Sequence, residues 1–148
     1  MAAISSISNG EAMSSVRTKL NSVITEINLL DPTDWIDYSA TSTIVGWSSF
    51  TEKIIYYRQI GKQVFINYSL TGVSNSTLIT FTLPINLKTG IGGINSFCYG
   101  IDNGVNSGFG FVTNSGVDKV QVFKTATSGA WTASGTKQTR GSLFYIID

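Results

Sequence analysis

The chain has 148 residues, a net charge of +1 and only 13% charged residues, against 42% hydrophobic. That charged share is about half of what a typical globular protein carries, and the balance of Lys and Arg offers no electrostatic footprint for DNA or RNA. There is no His and a single Cys, which removes His-based acid–base and nucleophile systems and leaves no thiolate cluster for a metal.

In chain order, residues 1–9 form a short lead of small residues with Ile4 and Ile7. It has no basic region and no long apolar run, so it does not read as a secretion signal. It suits an extended peptide that docks on another protein by adding a strand. The alternative is an unstructured terminus.

Residues 10–32 read as a helix, closed by Asp31-Pro32, since proline cannot continue a helix and restricts the residue before it. Ser8 or Asn9 could cap its start. Met13, Val16, Leu20, Val23, Ile27 and Leu30 are spaced 3, 4, 3, 4 and 3 residues apart. This is a heptad seam with Met13, Leu20 and Ile27 at a and Val16, Val23 and Leu30 at d. Leu at a with β-branched Val at d leans toward three or four strands, and Ile24 widens the stripe. The seam extends about 27 Å, too short to hold an oligomer unaided, so the following domain must associate as well. The competing reading is one amphipathic helix lying on its own domain.

Residues 34–148 read as β-structure. Strands are expected at Ile54–Arg58, Val64–Leu70, Thr77–Leu83, Ser96–Ile101, Gly108–Thr113, Lys119–Thr125 and Ser142–Ile147. Turns are expected around Ile60-Gly61-Lys62, Gly72–Ser76, Asp102-Asn103-Gly104 and Asn114-Ser115-Gly116. In the second strand Val64, Ile66, Tyr68 and Leu70 share one face. Short strands at roughly ten-residue spacing point to an antiparallel sandwich or jelly roll. So small a sandwich, with 11% aromatics and few charges, is expected to leave apolar surface over, which further copies around the helix axis would cover.

Several residues in order resemble a family. They are Trp35-Ile36-Asp37-Tyr38-Ser39, Gly46-Trp47, the hairpin Tyr57-Arg58-Gln59-Ile60-Gly61-Lys62-Gln63-Val64, the turn Gly72-Val73-Ser74-Asn75 and the strand end Phe81-Thr82-Leu83-Pro84. This set is similar to the β-sandwich tips of fibre and receptor-binding proteins on tailed bacteriophages. The Arg17-Thr18-Lys19-Leu20-Asn21 stretch resembles the helical segment that precedes many such tips. The resemblance covers residues 10–85 well and the later strands in outline. It implies a homotrimeric virion protein, assembled in the host cytoplasm, with an N-terminal attachment peptide (1–9) contacting other virion proteins. A coiled-coil neck (10–32) and a β-sandwich knob (34–148) would follow, and the knob would bind the host surface or decorate the particle. Such fibres are usually longer, so a chain of this length suits a short head or tail fibre or spike.

No catalytic constellation emerges. The acids of the β-region, Asp34, Asp37, Glu52, Asp102, Asp118 and Asp148, are scattered, and Asp102 reads as a turn former. No cofactor, metal or membrane span is expected. The best candidate for contact with a receptor or glycan is Trp131, in the small-residue loop Thr127–Gly135, with Asn103, Asn106 and Asn114 in nearby turns. The bland alternative has Trp131 folding back into the core. Trp35 and Trp47 are expected to pack near the neck. Alternatives to the fibre reading are a monomeric lectin-like module and a capsule depolymerase with acids placed across subunits. Cys98 reads as a buried, inert thiol.

Overall fold

The computed structural model describes residues 10, 12–30, 34–90 and 93–148, and the side chains of 26–30 lie outside that description. The expected attachment residues Ile4 and Ile7, the caps Ser8 and Asn9, and the side chains of Ile27 and Leu30 therefore fall outside the described residues.

One helix, α1 (Met13–Leu30), is 18 residues long. Its first turn is closed by Ser15 N and Val16 N donating to Ala12 O. Thr18 and Thr25 turn their hydroxyls back onto the carbonyls of Ser14 and Asn21, which satisfies those polar side chains without leaving the helix. The seam residues Met13 and Leu20 are 79% and 50% exposed in one chain, as is Ile24 at 54%.

Everything else is strand and turn. The strands are β1 (Ile36–Asp37), β2 (Ile44–Val45), β3 (Trp47–Ile60), β4 (Gln63–Ser74), β5 (Ile79–Thr82), β6 (Asn95–Asp102), β7 (Val105–Asn114), β8 (Lys119–Phe123) and β9 (Thr136–Ile146). They form one antiparallel sheet in the order β1-β3-β4-β9-β6-β7-β8-β5-β2. Both end strands are only two residues long, so β1 pairs with the 14-residue β3 only at Tyr56 and Tyr57.

The sheet curls over on itself. Four strands separate β4 from β5 in the order, yet the Tyr68 and Phe81 rings lie 5.1 Å apart. The loop between β1 and β2 ties the edges together: Tyr38 Oη lies 3.0 Å from Thr82 Oγ1 and donates to Leu83 O, and Thr82 N donates to Thr43 O. The inner faces meet in one core that includes Ile55, Val64, Ile66, Leu70, Ile79, Phe81, Val112, Val120 and Val122, all at most 1% exposed. On β4 the inward set is Val64, Ile66, Tyr68 and Leu70, the face read from alternation alone.

The chain passes from one end of the curl to the other at Gly46, between β2 and β3. Its φ is +113°, and a Cβ there would sit 2.6 Å from Leu78 O, so only glycine fits. The expected turn at Gly72–Ser76 is not a turn at its start, because β4 runs on through Ser74. Gly72 instead faces an irregular stretch of β3, where register shifts occur between Trp47 and Ser49 and between Phe50 and Glu52. A Cβ on Gly72 would meet Ser49 O at 2.0 Å, so the glycine serves the bulge rather than a loop. The other turns stand where expected. Asp102 pairs with Val105 across Asn103 and Gly104, whose φ values of 52° and 77° make a type I′ hairpin. β3 and β9 run longer than the alternation suggested, because pairing with β4 carries them past their apolar stretches.

Candidate functional site

Of the two readings of Trp131, surface contact or a side chain folded back into the core, the structure has the second. Trp131 is 2% exposed, and its Nε1–H donates to Val122 O at 2.9 Å. The ring takes the space that side chains on β6 and β7 would otherwise fill. A Cβ on Gly100 would come within 3.0 Å of Trp131 Cη2, and one on Gly110 within 2.7 Å of Cys98 Sγ. The inward positions around it, Cys98 and Gly100 on β6 and Gly110 on β7, are small. Trp47 also leaves its expected place near the neck: it is 7% exposed in the core, 5.4 Å from the Phe50 ring. Trp35 is 40% exposed and lies against the Arg58 guanidinium, 5.0 Å from its centroid.

Behind Trp131 lies a charged cluster that the sequence reading missed. Asp102 opens the expected turn but is 6% exposed. Its Oδ2 accepts from Lys124 Nζ (3.0 Å), Thr132 N (3.0 Å) and Thr132 Oγ1 (2.9 Å). Burial alone would raise the Asp102 carboxyl, but these donors outweigh it and hold it below its ordinary value. Lys137, its cross-strand partner on β9, is 1% exposed. Lys137 Nζ donates to Ser76 O at 2.8 Å and stands 5.2 Å and 5.8 Å from the Trp47 and Trp131 ring centroids. Burial pulls this ammonium down to about 8, with the Asp102 charge opposing. The cluster pins the 124–135 loop to the sheet. Its signal was parity: Tyr145 and Leu143 face inward, so Thr139 and Lys137 had to follow once the strand was extended.

The three asparagines do not converge. Asn103 holds the left-handed hairpin position. Asn106 accepts from Gly108 N through Oδ1. Asn114 accepts from Ile94 N and donates to Gly116 O, fastening its own turn. Asn106 serves its own turn, Asn114 also ties its turn to the segment leading into β6, and Asn103 is set by its backbone position. Among the acids, Glu52, Asp102 and Asp148 are each joined to a separate cation: Arg140, Lys124 and Lys88. Among the described residues no three His, Cys, Asp or Glu side chains are grouped to hold a metal, and no helix is long and apolar enough to cross a membrane.

The outer face of the sheet carries the surface that remains. On β6 and β7 the aromatic residues point outward: Phe97 is 65% exposed, Phe109 74% and, on β9, Phe144 63%. Phe97 stands across from Phe111 and Phe111 across from Phe123, with centroids 6.5 Å apart in both pairs. Phe65 and Phe144 are 6.2 Å apart. Toward β3 the face turns polar. Ser69 and Thr71 hydroxyls and Arg140 Nη2 all donate to Glu52 Oε2, while Arg140 Nε donates to Ser69 Oγ. The Ser69 bond is the main reason the Glu52 carboxyl sits below its ordinary value. Ser142 Oγ donates to Asn67 Oδ1.

No protein-family model, curated protein or solved structure matches this chain.

Proposed function

We propose that the chain is a self-assembling attachment protein, a short homotrimeric fibre or spike of a virion. In this reading α1 forms a coiled-coil neck, the curled sheet is a β-sandwich knob, and residues 1–9 fix the trimer to other virion proteins. The knob binds a host surface or decorates the particle. One observation carries it: the outer face of β6, β7 and β9 leaves Phe97, Phe109 and Phe144 mostly in water. Contiguous exposed aromatics of this kind mark an interaction surface. The α1 seam adds support, since Met13 and Leu20 are exposed in one chain and repeat at heptad spacing. Leu and Val at a and d lean toward three or four strands, and the ordered motifs that resemble phage fibre tips favour three copies and a virion location at head or tail.

Light scattering on a sizing column tests the assembly. A mass near three times 15.9 kDa is expected, falling toward one chain in a Phe97→Ser, Phe109→Ser double variant. A wild-type mass of one chain refutes the reading.

A further inference from the structure

We propose that the outer face of β3, β4 and β9, with Trp35 just before β1, is a saccharide-binding groove, occupied by a neutral oligosaccharide laid across the strands. Two open depressions of about 390 Å³ and 280 Å³ meet there and share Asn67. The first is floored by β4 and β9 and includes Ser69, Arg140 and Ser142; the second lies between Trp35, Tyr56 and Asn67. The larger one falls at the small end of ligand clefts, roughly 300–1,000 Å³, and together they form a track rather than a pit.

The lining matches a sugar's two kinds of surface. Trp35 and Tyr56 are 40% and 39% exposed, and each offers a ring to the apolar face of a pyranose. The Arg58 guanidinium against Trp35 holds that indole in place. Beyond the rings come the Ser69 and Ser142 hydroxyls, the Asn67 amide and the Arg140 guanidinium, which Glu52 holds from outside the lining. Arg140 Nη2 and Glu52 Oε2 are 3.3 Å apart, and Arg140 Nε is anchored on Ser69. The guanidinium is a donor only, while the amide and hydroxyls of Asn67, Ser69 and Ser142 both donate and accept, so together they suit adjacent sugar hydroxyl groups. The side chains are already cross-bonded, so binding need not order them.

An extended peptide fits less well. The groove lies across paired strands, where β4 is bonded to both β3 and β9 along its length. β4, which carries the Asn67 shared by both depressions, therefore has no open backbone edge for strand addition. The low charge of the chain favours a neutral ligand over an anionic one.

The groove supplies a ligand class for the attachment role proposed above, yet every residue in it belongs to one chain, so the two are tested separately. The full chain is titrated with maltotriose, lactose, chitotriose and a rhamnose-containing trisaccharide, followed by calorimetry and tryptophan fluorescence. At least one should bind and change the fluorescence through Trp35. Asn67→Ala and Tyr56→Ala should each weaken it by roughly tenfold, the scale of one lost polar or ring contact, and Arg140→Ala by at least as much. Arg140→Lys, which keeps the charge, replaces Arg140→Ala if the latter fails to fold. Asn106→Ala, in the β6–β7 region, should bind as wild type. Absence of binding by all four sugars, binding untouched by Asn67→Ala and Tyr56→Ala, or capture of an extended peptide in their place overturns the proposal. Sugar binding by a protein with the mass of one chain keeps the groove and refutes only the trimer.

Discussion

Replacing Trp131 by alanine tests how the knob is held together. The ring is 2% exposed, donates one hydrogen bond to Val122 O, and lies beside Lys137 and Gly100. Truncating a buried aromatic costs about 3–5 kcal/mol, the lost transfer energy and the cavity together. Total stability for a domain of this size is about 5–15 kcal/mol, so the variant should lose at least about a fifth of it. Urea unfolding followed by far-UV circular dichroism reads this as a lower midpoint. Trp131→Phe keeps most of the bulk but strands the Val122 carbonyl, and should cost about 1–3 kcal/mol. Gly100→Ala adds a discriminating arm. Its Cβ would lie 3.0 Å from Trp131 Cη2 and 2.9 Å from Ser107 Oγ, so it should destabilise wild type and do so less in the Trp131→Ala background, the coupling expected of residues in contact. A Trp131→Ala cost under about 1 kcal/mol, or strict additivity with Gly100→Ala, would refute the account of Trp131 as the inner filling of β6 and β7.

Lys137 gives a pH signature. Its folded pKa of about 8 lies below its ordinary 10.5, so between these values the unfolded chain binds more protons and stability rises with pH. Buried Tyr68 and Tyr145 have raised folded pKa values, so their contribution is intact below about pH 10 and is lost above it. The raised Cys98 thiol opposes this rise in both proteins, so between about pH 7.5 and about pH 9.5 urea midpoints should rise more, or fall less, in wild type than in Lys137→Met; equal slopes in both proteins would rule out Lys137 as a source. Gly46→Ala places a Cβ 2.6 Å from Leu78 O at a φ of +113° and should cost more than about 2 kcal/mol by thermal or urea unfolding. Cys98 is 3% exposed, and burial raises its thiol pKa. It should resist an aromatic disulfide reagent in the native protein at neutral pH and react at once in urea; fast native labelling would contradict its burial.

Much of this architecture was legible in the residues. The heptad spacing from Met13 to Leu30 marked the helix, and alternation marked the inward face of β4, because both depend only on the chain's own periodicity. Asn103-Gly104 marked a hairpin because few residues other than Asn and Gly tolerate both of its positive φ values. What failed depended on partners distant in sequence. The alternation of Phe97 and Tyr99 with Cys98 and Gly100 cannot say which set faces inward, and the rule that large apolar residues go inside chooses wrongly. The space under β6 and β7 is taken by Trp131, some thirty residues later, so the small residues turn in and the aromatics turn out. Lys137 was hidden for the same reason, since its burial is tolerated only where Ser76 O, two indole rings and the Asp102 charge surround it. The sequence by itself determined the helix, the main strands, most of their turns and the low charge of the chain. Only the tertiary structure decided which face each strand shows to water, because that depends on which volume was already filled from elsewhere in the chain.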